Sequence, residues 1–450
     1  MKLVYNVKDK PKFGQLIVFA IQQLLAILAA TIAVPTIVGN GMSQSAALFG
    51  AGVGTLVYLL FTKFKSPVFL GSSFAFLGSM FAAFGGAASV GAGYAGIILG
   101  AVFAGLVYVV IAIVVKFAGV NWINKLMPPV VIGPTVAIIG LSLAGNAVGD
   151  ALTFAKTDAG YVMGTKGWLG FICALVTLFV VMICSVYGKK MTKLIPFIIG
   201  ILAGYAVATV FTLIGNATGN EALQIVDWSA FSNMQWIPDF TFLKAIKEGG
   251  FSQLTPAYIA AIAVAYIPVA FVVFAEHIAD HKNLSSIIEQ DLLEEPGLHR
   301  TLLGDGVGSM VGAVFGGCPN TTYGESVGCV AITGNASVIT ICATAVISIL
   351  ASFLAPFVTF LSTIPACVMG GVCITLYGFI AVSGLKMIQK VDLDDNRNLF
   401  VVATILISGI GGMSLTIGKV TLTEVACALI LGIIVNIVLG KKEKNGAKVN

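Results

Sequence analysis

Apolar runs long enough to cross a lipid bilayer recur along almost the whole chain, the first at residues 13–33 and the last at 423–439. A spanning helix needs roughly 20 predominantly apolar residues, and no single soluble core could bury so many such segments. Composition points the same way: 58% of the 450 residues are hydrophobic, 10% are charged, and the mean hydropathy is +1.00. An ordinary soluble domain is excluded. The runs predict an all-α polytopic membrane protein. Seven spans lie at 13–33, 46–61, 68–84, 94–117, 130–145, 168–187 and 195–214, and a polar loop follows at 215–255. Seven more lie at 256–277, 302–315, 318–333, 336–354, 366–387, 399–415 and 423–439.

Charge tests this count of fourteen independently. An even number of spans puts both termini on one side. With these boundaries that side holds all of the 25 Lys and Arg except Lys156, Lys166, Lys244, Lys247 and Lys419. The positive-inside rule then places both termini in the cytoplasm and the protein in the cytoplasmic (inner) membrane. The basic residues are scattered between spans, so the net charge of +5 is no nucleic-acid signature. The eight cysteines, none in a CxxC pair, sit in or beside apolar stretches and read as small hydrophobes. A cleaved leader at 13–33 is the rival to a first span, and the lack of a soluble domain after it favours the span.

One stretch does not belong on a lipid-facing helix. Cys318 to Thr333, CPNTTYGESVGCVAIT, follows Gly316 and Gly317 and contains Pro319, Asn320, Thr321, Thr322 and the carboxylate of Glu325. Proline and glycine disfavour a helix interior, and a carboxylate deep in a bilayer costs at least ~2.5 kcal/mol. Broken backbone at that depth is tolerated only against protein or a water-filled cavity, so the stretch is expected to line a polar site. Ser72, Ser73, Phe74, Ala75 and Phe76 in the third span echo Thr321, Thr322, Tyr323, Gly324 and Glu325 in the tenth. Two short antiparallel strands meeting between half-helices would satisfy each other's backbone and aim helix N-termini at a ligand. If the seven-span halves are related, their odd number makes the second an inverted copy of the first.

A second polar group ends the eighth span. Glu276 lies inside the apolar run, a position where an anion is costly, and is a candidate proton carrier. Asp280, four residues on, shares its helical face but opens a charged loop expected at 280–300; there Asp280 and His281 are either solvated or functional. His277 and His281 do not make the HExxH of a metalloprotease, because Ile278 stands where glutamate is needed. Asp305 reads as a helix-capping residue at the start of the ninth span. No cofactor or metal is expected.

Together, residues 70–76 (LGSSFAF), 275–277 (AEH), 296–300 (PGLHR), 319–325 (PNTTYGE) and 376–378 (LYG) resemble the nucleobase/ascorbate transporter (nucleobase:cation symporter-2) family, in its bacterial uracil permease branch. The resemblance runs over nearly the whole chain. It implies fourteen spans in two inverted repeats, with a core domain at 1–118 and 256–355 and a gate domain at 119–255 and 356–450. It implies a secondary transporter, not an enzyme, that imports uracil with a proton by alternating access, with the bilayer as its setting and a homodimer through the gate domain as a possible assembly. The site then comprises the carboxylates of Glu276 and Glu325, the stacking ring of Phe74, the backbone donors of Tyr323 and Gly324, the small Ala30, and Tyr377 nearby. The signature after Glu325 is met at Gly328 and Thr333, with Ser326 where asparagine is usual. A family histidine of the proton relay is replaced by Asp280, with His281 beside it, so proton coupling is assigned to Glu276, Glu325 and Asp280.

The residue chemistry is consistent with that reading. Uracil is a flat neutral ring whose two N–H donors suit carboxylates and whose carbonyls suit backbone N–H groups. Glu325, where purine carriers often have glutamine, favours uracil over xanthine. A xanthine or other nucleobase permease is the alternative; an anion exchanger or channel of the same architecture is disfavoured by two buried acids.

Overall fold

Helices can approach backbone to backbone only where small residues recur on one face, and two of the helices do so along much of their length. These are α2 (Gln44–Phe61) and α11 (Leu298–Gly316). A Cβ added to Gly50 would lie 2.4 Å from the Gly312 carbonyl oxygen, and one on Gly54 would lie 2.7 Å from that of Gly308. The i, i+4 spacing of glycines on both helices therefore sets the axis of the fold, as in other membrane helix pairs that pack through small residues.

The computed structural model describes residues 3–119, 128–158, 160–189, 191–417 and 420–440. Lys125, Lys190, Lys419 and the chain ends, on which the placement of the termini partly rests, lie outside the described residues. Around the α2–α11 pair pack α1 (Phe13–Val38), α4 (Val90–Ala118), α10 (Pro256–Ile288) and α13 (Val338–Ala351). A second group consists of α5 (Pro129–Ser142), α7 (Thr165–Tyr187), α8 (Pro196–Thr218), α15 (Ala366–Ile388), α16 (Asn396–Ile410) and α17 (Glu424–Gly440). Here too glycine decides the approach: a Cβ on Gly140 of α5 would stand 2.3 Å from the Tyr377 carbonyl oxygen of α15.

Among the described residues, eight helices are long and apolar enough to cross a membrane: α1, α2, α4, α7, α8, α10, α15, and α5 continued by α6 (Ala144–Ala151). A ninth arises if α13 and α14 (Ala355–Ser362), bent by 82° at their junction, are one span. The segments expected as spans three and ten are broken, as their Gly, Ser and Thr content predicts. The third is β1 (Leu70–Ser72), a 3-10 turn at Phe74–Phe76 and α3 (Leu77–Gly85); the tenth is β2 (Asn320–Thr322) and α12 (Gly324–Thr333). The polar loop at 215–255 is not loose. It contains α9 (Thr241–Lys247) and docks Phe240 edge-on against Phe49 (4.9 Å) and Phe315 (5.6 Å).

The charged loop expected from Asp280 does not begin there, because α10 runs on to Ile288. The reason is periodicity: His277, His281, Leu284 and Ile288 fall at helical spacing and are all buried, while Lys282 and Asn283 face outward. Polarity alone was a poor guide to where the helix stops. Gly54→Ala should destabilise the protein by about 1–3 kcal/mol through overpacking. Gly145→Ala in α6, where nothing lies within 4 Å of the added Cβ, should be neutral or slightly stabilising. Thermal melting of the purified protein in detergent reads the difference.

Candidate functional site

Two strands of three residues would be unstable alone; here each supplies the other's missing hydrogen bonds. Strands β1 and β2 are antiparallel, with Leu70 opposite Thr322, Gly71 opposite Thr321 and Ser72 opposite Asn320. Ser73 N–H extends the ladder to the Pro319 carbonyl at 2.9 Å. Side chains secure the outer edges. Thr55 Oγ1 accepts from Leu70 N–H at 2.9 Å, and Asn320 Nδ2 donates to the Gly50 carbonyl at 3.0 Å. Gly71 is required sterically, since a Cβ there would meet the Tyr323 ring at 2.3 Å. That ring lies across β1 and its hydroxyl donates to the Ser72 carbonyl at 2.6 Å.

Both strands end in a helix start. After β1 the chain turns through Phe74–Phe76 into α3, and after β2 it enters α12 at Gly324; neither start has a side-chain cap. First-turn N–H groups have no intrahelical acceptor, so both starts present donors and a positive dipole end. They open on a cavity of about 400 Å³ lined by Phe74, Ala75, Tyr323, Gly324 and Glu325. Glu276 and Asp280 of α10 line it too, one turn apart on a shared face as the spacing predicted. The Asp280 carboxylate accepts from Thr322 Oγ1 at 2.8 Å, tying α10 to the strand pair.

Helical phase separates Asp280 from His281. Asp280 faces the cavity, whereas His281 is fully buried behind it, its Nε2 2.7 Å from the Tyr58 hydroxyl and its Nδ1 2.8 Å from the His277 carbonyl. Asp305 is not a cap. Helix α11 starts at Leu298, which places Asp305 two turns inside it, 1% exposed and 2.6 Å from His277 Nδ1.

Of the other residues singled out in the sequence, Tyr377 lies just outside the lining, its ring edge-on to Phe74 at 5.8 Å. Ala30 is buried in α1 at 2% exposure and does not line the cavity. Ser326 points away from it: its hydroxyl accepts from Phe69 N–H at 3.1 Å and from Gln23 Nε2 at 2.5 Å, which anchors the first turn of α12. Gly328 and Thr333 lie farther along α12, and Thr333 Oγ1 bonds to the Cys329 carbonyl. Sequence reasoning missed the opposite wall, made by Val136, Ile139, Phe197, Phe379, Ile380 and Met387, with Ser383 as its polar member. Ordinary apolar residues on ordinary helices carry no signal of that role.

The family profile described as "Permease family" matches residues 14–418. The chain belongs to this family. The permease is 40% identical over 443 residues to the uracil permease of Bacillus caldolyticus, covering 97% of this chain and 95% of that one. It is 37% identical over 450 residues to the uracil permease of Bacillus subtilis (strain 168), covering 99% and 97%. Among solved structures, the transmembrane domain of a cyanobacterium bicarbonate transporter, BicA, superposes with a TM-score of 0.64 at 15% identity, covering 96% of the permease and all of that domain. This last likeness concerns the fold alone. The resemblance read from the motifs is thereby confirmed, and the permease is a multi-pass membrane transporter.

Because Thr322 Oγ1 is a donor to Asp280, Thr322→Val should strip a partly buried carboxylate of a hydrogen bond worth about 1–3 kcal/mol. Transport should fall several-fold, and Thr322→Ser should restore it; initial uptake rates in whole cells decide the matter.

Proposed function

We propose that the permease imports uracil together with a proton across the cytoplasmic membrane by alternating access. The observation that carries this reading is the convergence, in one cavity, of two carboxylates (Glu276, Glu325), two uncapped helix starts and one aromatic face (Phe74). Uracil has the complementary edge. Its N–H groups are bound by Glu276 and Glu325, a carbonyl takes the backbone N–H groups of Tyr323 and Gly324, and Phe74 stacks on the ring. Tyr377 steadies the Phe74 ring from the side. The names of the relatives, uracil permeases over nearly full length, support this substrate.

Proton coupling follows from the cost of leaving an unpaired carboxylate in a desolvated site. Glu276, Glu325 and Asp280 share one cavity, so a proton brought in with the substrate relieves their mutual repulsion. Asp280 takes the relay position, and Thr322 holds its carboxylate.

The moving parts are read as a core domain (1–118 and 256–355) and a gate domain (119–255 and 356–450), rocking about the site. The cavity extends toward Asp280 and Met387, near the C-terminal ends of α10 and α15. Lys65 pairs with Glu295 just beyond α10, close to Lys8 of the N-terminal arm, so the opening is assigned to the cytoplasmic side. Fourteen spans in two inverted repeats are part of the proposal.

The test is uptake of labelled uracil by proteoliposomes with and without an inward proton gradient, with xanthine, 5-fluorouracil and uridine as competitors. Uptake should be gradient-driven and competed best by 5-fluorouracil. Glu276→Gln and Glu325→Gln should each abolish accumulation. Indifference to the gradient, or stronger competition by xanthine, rejects the proposal.

A further inference from the structure

Helix α10 must hold Glu276 and Asp280 toward the cavity, yet it contains Pro268, which removes a backbone hydrogen bond two turns before Glu276. The rotational setting of its second half therefore needs support from side chains. The neighbouring face, turned roughly 100° from the one toward the cavity, carries that support. His277, fully buried, has Nδ1 2.6 Å from Asp305 Oδ2 and Nε2 3.0 Å from Thr301 Oγ1, both on α11. His281 stacks on it at 4.0 Å and reaches Tyr58 of α2. The ring of Tyr108, from α4, stands edge-on to His277 at 6.2 Å.

Two oxygens in this cluster are left over. Asp305 Oδ1 and the Tyr108 hydroxyl are buried with no hydrogen-bond partner among the described residues. Both residues line one small cavity of about 10 Å³, bounded also by Ser309, Asn320 and Thr321. Buried polar groups are almost always paired, by ordered water where no protein atom serves, and this volume is near the least that admits one water molecule. Thr321 of β2 borders both this cavity and the substrate cavity.

We propose that one internal water occupies this cavity and joins Asp305 Oδ1 to the Tyr108 hydroxyl. His277, Asp305 and Tyr108 then act as one positioning unit that fixes which face of α10 is turned toward the substrate. Its effect on transport rests on Glu276 and Asp280 belonging to the substrate site. None of the three residues touches the substrate cavity.

The test reads the helix directly. Ala279 lines the large cavity, so the rate at which Ala279→Cys reacts with a water-soluble maleimide reports the face that α10 presents. The parent protein sets the background from Cys342, which among its eight cysteines is the one that is not buried. His277→Ala should slow labelling by about tenfold, and His277→Asn, whose amide nitrogen takes the place of Nδ1, should bring it back to within about threefold. His277→Gln, nearer to histidine in size but reaching toward Nε2, should not restore it. Unchanged labelling in His277→Ala, or rescue by glutamine as good as by asparagine, overturns the proposal, since simple packing predicts the second result. Tyr108→Phe should slow labelling by about threefold alone and add nothing to His277→Ala. Additive slowing breaks the water link. A requirement for sodium that disappears in Tyr108→Phe replaces the water with a cation and also overturns it. Labelling is measured without uracil, so failure of the uracil reading would show in uptake and leave these outcomes separately legible.

Discussion

The antiparallel pairing of β1 with β2 is the interaction on which the rest of the structure depends. Six residues of extended backbone sit inside an otherwise helical, apolar protein, where an unpaired N–H or C=O costs several kcal/mol. Each strand is acceptable only because the other is there. Once paired, the strands force two helices to begin in the interior instead of at a surface, and those helix starts are what a polar ligand can use. The glycine seam between α2 and α11 serves the same end: it brings Gly50 close enough to accept from Asn320, locking the edge of β2.

A consequence is that the acidic side chains need not be held by basic partners. Glu276, Asp280 and Glu325 share a cavity to which no Lys or Arg contributes among the described residues, and Asp280 takes its hydrogen bond from a neutral hydroxyl. Such a site is poor at holding three negative charges and good at holding protons or N–H donors. The facing wall is almost wholly apolar, so polarity lies on one helical group and shape on the other. That division suits a carrier in which one group binds and the other closes over it.

Much of this was legible in the residues. Pro319 and the two glycines before it, Gly316 and Gly317, announced broken backbone, the Ser-Ser-Phe echo located its partner, and the family motifs named Phe74, Glu276 and Glu325. Three things were not legible, each for a physical reason. Asp280 read as the start of a loop because charge was taken as solvent exposure, whereas the helix continues and buries every third or fourth residue. Asp305 read as a cap because an acid near a span boundary usually is one, and only packing reveals His277 opposite it. The apolar wall of Val136, Phe197 and Phe379 was invisible because such residues line lipid, core and cavity alike.

The sequence by itself determined that this chain lives in a membrane, where its backbone breaks, and which acids are too costly to be incidental. Those are consequences of hydropathy, proline, glycine and charge, which act locally and can be read one residue at a time. Only the tertiary structure decided the register in which the two strands pair, that Ser326 turns inward while Asp280 turns to the cavity, and that His277 and Asp305 meet. Those outcomes depend on helical phase and on the distance between helix axes, which side-chain volumes across the whole fold set together.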